Sequence, residues 1–180
     1  MSSLAYATWF LSSFLIVFGL LALAAPSAWR GAMAAFPRHT PSAVLLTAVD
    51  LIWVAWLLLD MTKGRFAHLQ PIIYIAAPLS FFLLTRYMEE LLAPRALGGL
   101  LLLAAGPALD AARWNDSSLR LIFTTLIYVM IIKGIVLILS PYRFRDWGPG
   151  RVRTDAAARA VGIAILLLAS GLGALAAVVY

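Results

Sequence analysis

"RLIFTTLIYVMIIKGIVLILSP", residues 120–141, decides the fold class. Twenty residues separate Arg120 from Pro141, and Lys133 is their only charge. A helix of about 20 residues, rising about 1.5 Å per residue, crosses about 30 Å of hydrocarbon. Similar apolar blocks occupy 6–25, 42–59, 71–92, 96–112 and 156–180. Across the 180 residues 63% are apolar and 12% charged, about half the charge of an ordinary soluble domain. The expected fold is an all-α, polytopic transmembrane helix bundle of six spans built as helical hairpins, a single integral membrane domain over 1–180.

Prolines punctuate the spans. Pro26 is read as the stop of the first, Pro78 as a kink in the third, and Pro141 as the stop of the fifth. Residues 96–112 are the short block, only 17 long and interrupted by Pro107. They either cross thinly or dip and return, which makes five spans the alternative. The opening block is read as a retained span, because a cleaved signal needs a basic start and an apolar core of 7 to 15 residues.

Six spans place connectors 26–41, 93–95 and 141–155 on one side. They carry Arg30, Arg38, Arg95, Arg143, Arg145, Arg151 and Arg153, against Lys63, Arg65, Arg113 and Arg120 on the other. The excess of basic residues predicts a cytoplasmic location for those three connectors, in a bacterial inner membrane. Arg143, Arg145, Arg151 and Arg153 are expected to meet lipid headgroups. The net charge of +6 is spread over short loops without a basic, aromatic-interleaved face, so nucleic acid is not an expected partner. No cysteine is present, which removes disulfide, iron–sulfur and thiolate chemistry.

An internal echo links two hairpins, 5–59 and 119–180. Gly19 precedes Pro26 by seven residues and Gly134 precedes Pro141 by seven, each followed by an aromatic and basic connector. Within the second hairpin Ser140, Pro141, Arg143, Phe144, Arg159 and Gly162 form a pattern. It resembles that of the YjeT-type proteins, very small two-helix bacterial inner-membrane proteins. That resemblance covers roughly 45 residues and implies a membrane hairpin without an assigned activity.

Charges inside the spans are the exceptional groups. Counting from the expected span ends puts Asp50, Arg86 and Lys133 each about 10 to 12 Å deep, and Arg86 stands three and four residues from Glu89 and Glu90. A charge near the bilayer centre costs about 2.5 to 3.5 kcal/mol on insertion scales. These five residues are therefore expected to form a buried network of mutual pairings. In the last span Ala158 with Gly162 and Ala169 with Gly173 are small residues four apart, the pattern that lets another helix approach closely.

No metalloprotease, nucleophile-elbow or phosphate-loop motif occurs, and no cofactor is expected. The sequence points to a non-catalytic membrane subunit, a scaffold or assembly partner of a larger bacterial complex, whose partners are membrane lipids and other subunits. The alternative reading is a small ion- or proton-coupled transporter or channel using the buried charges.

Overall fold

A computed structural model describes residues 2–63, 66–87, 91–115, 117–148 and 150–178. Among them the chain forms eight α-helices and no strand: α1 (Ser3–Ala24), α2 (Pro26–Ala35), α3 (Thr40–Met61), α4 (Gln70–Tyr87), α5 (Leu92–Arg113), α6 (Arg120–Leu139), α7 (Arg143–Trp147) and α8 (Asp155–Val178). Six helical segments of 20 to 24 residues are long and apolar enough to span: α1, α3, α4 with its preceding 3-10 turn Ala67–Leu69, α5, α6 and α8. The chain is an all-α helical bundle and a multi-pass membrane protein.

The fourth span differs from expectation. Residues 92–113 form one continuous helix of 22 residues, about 33 Å long, so length gives no reason for a dip. Pro94 stands in its first turn, where no backbone N–H is needed for an intrahelical bond. The segment 93–95, expected as a connector, is thus helix. Pro107 lies inside α5 beside Gly106, whose open side has nothing within 4 Å. Pro26 is more than a stop. It forces Ala25 out of the helical region, to φ −134° and ψ 64°, and then opens α2 at the position proline favours. The connector after Pro141 also contains a helix, α7.

The chain packs as two compact units that cut across both hairpins: residues 1–34, 104–132 and 145–180, and residues 35–103 and 133–144. In the first unit α1 packs on α8. The buried face of α1 is made of small residues, Ala5, Thr8, Ser12, Gly19 and Ala22, joined by Leu4. Tyr6, Phe10, Phe14 and Val17 point outward. That inversion of a water-soluble core suits a lipid solvent, where large apolar side chains gain little by hiding and close backbone approach supplies the attraction.

Two glycine crossings show how close the approach is. A Cβ on Gly162 would stand 2.9 Å from the Gly19 carbonyl oxygen, and one on Gly19 would stand 3.1 Å from that of Gly162. In the second unit a Cβ on Gly98 would stand 2.7 Å from the Gly134 oxygen, and one on Gly134 would stand 2.9 Å from that of Gly98. Both joints share a sequence pattern. Gly19 and Gly134 precede a proline by seven residues, while Gly162 and Gly98 follow an arginine by three.

The connectors meet as the span count requires. Phe36 stacks on Phe144 at 5.0 Å and packs with Leu92 and Ala93, and Trp29 packs with Val152. The connector after α1 therefore touches both the start of α5 and the connector after α6.

Replacing Gly162 with valine is expected to destabilise the protein by roughly 1–3 kcal/mol, because α1 must move away from the added carbons. Gly171 faces open space, so Gly171→Val is expected to change little. Unfolding midpoints in mixed micelles measure both.

Candidate functional site

Asp50 is the eleventh of the 22 residues of α3, about 15 Å from either end and hence near the bilayer midplane. Pro41 stands in the first turn of α3, which begins two residues before the expected start and sets Asp50 deeper than a count from Ser42 placed it. The side chain is half-buried, and two contacts define its position. Its Oδ2 lies 2.7 Å from where a Cβ on Gly99 of α5 would stand, so any larger residue at 99 makes the carboxylate shift. Its Oδ1 is buried and has no hydrogen-bond partner in the protein.

Thr47, three residues earlier and thus on the same face of α3, is 3% exposed, and its Oγ1 is likewise without a partner. Other helix-interior threonines behave differently. Thr8, Thr85, Thr124 and Thr125 each donate to the carbonyl four residues back, at 2.7 to 3.0 Å. That bond is the usual way a hydroxyl is satisfied in a membrane helix. Thr47 makes no such bond, so two oxygen atoms one turn apart are held inside the protein without donors or acceptors.

Of the expected charge network, Asp50, Arg86 and Lys133 lie among the described residues. Lys133 and Arg86 are exposed. Lys133 lies six residues before the end of α6, about 9 Å in, and Arg86 is the penultimate residue of α4. Asp50 forms no ion pair among the described residues, where the ion pairs are Arg30 with Asp155 and Lys63 with Asp60. Glu89 and Glu90 lie outside the described residues. The physical reason is local: Gly99 and the small residues around α5 give Asp50 a place against backbone, whereas lysine and arginine have stems long enough to carry their charge outward.

Ala158, Gly162, Ala169 and Gly173 are all buried on α8. Their neighbour is internal: Ala22 and Gly19 lie against Gly162, Ser12 Oγ lies 3.2 Å from a Cβ built on Gly173, and Ser12 Oγ donates to the Ala169 carbonyl at 2.8 Å. Arg143, Arg145, Arg151 and Arg153 are exposed. Beside them the Arg30 guanidinium ties the middle of α2 to the start of α8, with Nε donating to Asp155 Oδ1 at 2.9 Å and Nη1 to the Arg153 carbonyl at 2.7 Å.

Sequence reasoning missed Thr47, Gly99 and the Arg30–Asp155 pair. A signal existed for the first two: a threonine one turn from the deepest acid, and a glycine doublet in an otherwise leucine-rich run. No protein-family model, curated protein or solved structure matches the chain.

Gly99→Ala is expected to cost roughly 1–3 kcal/mol in the wild-type background, through displacement of the Asp50 carboxylate. In an Asp50→Ala background the same change is expected to cost less, because the oxygen it collides with is gone. A double-mutant cycle on unfolding midpoints reads the coupling.

Proposed function

We propose that the chain is a non-catalytic integral membrane subunit that assembles with other membrane proteins of the bacterial inner membrane, with connectors 26–41 and 141–155 and the first turn of α5, which holds 93–95, at the cytoplasmic side. The observation that carries this reading is the outer surface of α4. None of the residues of α4 is buried, although Ile72, Tyr74, Ile75, Leu79, Phe82 and Leu83 are large and apolar.

Between α3 and α4 runs an open apolar groove of about 570 Å³. Ala48, Ala55 and Ala77 form its low points, and Trp56, Tyr74 and Phe81 stand among its walls. Small residues in a membrane helix admit the backbone of another helix, and aromatic side chains beside them add contact area. The α1–α8 pair, whose small residues are covered by each other, illustrates the finished state of such a surface. The α3–α4 pair has the same means of close approach with its face open, which supports a transmembrane helix of a partner protein as its occupant. The resemblance of the second hairpin to small membrane proteins without assigned activity points the same way. Exposed arginines on the connector after α6 fit anionic headgroups on the cytoplasmic leaflet.

The absence of cysteine makes single-cysteine variants unambiguous reporters. Purification in mild detergent is expected to yield a stoichiometric membrane partner, cross-linked by cysteine at Ala77 and not by cysteine at Phe10 on the outer face of α1. A protein that purifies alone from its native membrane overturns the reading. For orientation, cysteine at Thr154 is expected to react with an impermeant thiol reagent only in inverted vesicles, and cysteine at His68 only in spheroplasts with intact membranes.

A further inference from the structure

We infer that Thr47 and Asp50 form the protein's half of a monovalent-cation site at the membrane midplane, with Oγ1 and Oδ1 as its ligands. The inference goes beyond the subunit reading and does not depend on it.

Three observations converge. The first is the cradle. Gly99 has no side chain to crowd Oδ2, which lies 2.7 Å from where a Cβ would stand, while Oδ1 lies farther off at 3.9 Å. The second is Thr47, whose hydroxyl is 3% exposed and forgoes the backbone bond made by four other helical threonines. The third is charge. The titratable groups on the neighbouring helices of the same unit are Tyr74, Arg86 and Tyr87 on α4, Arg95 on α5 and Lys133 on α6. Asp50 makes an ion pair with none of them.

The chemistry of the ligand follows from these groups. A carboxylate oxygen only accepts, while a hydroxyl oxygen both donates and offers lone pairs. A species held by both must present positive charge to two hard oxygen atoms. A divalent ion would leave a net positive charge at the midplane, where uncompensated charge is costly. A single positive charge neutralises Asp50. Sodium has that chemistry, and a proton on Asp50 is its competitor.

The full chain, purified in detergent, is titrated with NaCl against N-methylglucamine chloride at constant ionic strength, and separately with acid in sodium-free buffer. Thermal unfolding and tryptophan fluorescence are followed; Trp53 stands one turn beyond Asp50. A saturable response to sodium that acid competes away upholds the site, whereas a response to acid alone is ordinary protonation of the Asp50 carboxylate and overturns it. Asp50→Asn is expected to abolish the response to sodium. Thr47→Val is expected to weaken the affinity about tenfold or more, the usual scale for losing a hydroxyl contact to a charged group, and Thr47→Ser to preserve it. No saturable response in the folded wild type overturns the inference, as does an unchanged midpoint in folded Asp50→Asn. If Asp50→Asn does not fold, an unchanged midpoint in Thr47→Val overturns it and a weakened one upholds it.

Discussion

The bundle depends on backbone touching backbone. In water, burying leucines would hold helices together; in lipid the acyl chains solvate leucine as well as a protein core does, and association rests on dispersion and interhelical hydrogen bonds. Both act only at short range. Gly19 against Gly162 and Gly98 against Gly134 supply that range, each bringing a carbonyl oxygen to within about 3 Å of the place a methyl group would need. Ser12 adds a hydrogen bond to the Ala169 carbonyl on the same α1–α8 face. On α1 the large residues Tyr6, Phe10, Phe14 and Val17 complete the arrangement by facing out.

Much of this was legible in the sequence because the bilayer imposes few rules and imposes them strictly. Block length called for six spans, and the spacing of Ala158, Gly162, Ala169 and Gly173 marked the face that α8 buries. What was not legible follows equally from physics. Pro26 was read as a stop and α1 does end before it, but it also opens α2, and Pro94, in a stretch read as a connector, stands in the first turn of α5, where a missing N–H has no consequence. Periodicity also cannot name the partner of a small-residue face, so the pairing of α1 with α8 was open until tertiary structure supplied it.

The acidic group tells a similar story. Sequence depth singled out Asp50 as an unusual residue and assigned it charged neighbours, since opposite charge is the commonest remedy for a buried carboxylate; among the described residues Asp50 makes no ion pair. The structure sets one of its oxygens against glycine backbone and leaves the other beside an unsatisfied threonine turn. Small residues thus serve two purposes on α5. Gly98 admits a helix and Gly99 admits a side chain, with adjacent residues facing different neighbours. A doublet of glycines in a leucine run reads as flexibility in water; here it reads as two separate close approaches.

The pairing of the first span with the last bears on how the chain is made. The hydroxyl of Ser12 and its acceptor at Ala169 are 157 residues apart, so at about 5–20 residues per second their meeting waits on the order of ten to thirty seconds of translation. Throughout that interval Thr8, Ser12 and Gly19 lie along a helix whose counterpart has not left the ribosome. The α5–α6 joint can close well before it. The joint between α1 and α8 therefore closes after those between α3 and α4 and between α5 and α6, and a helix made late locks in place one made early.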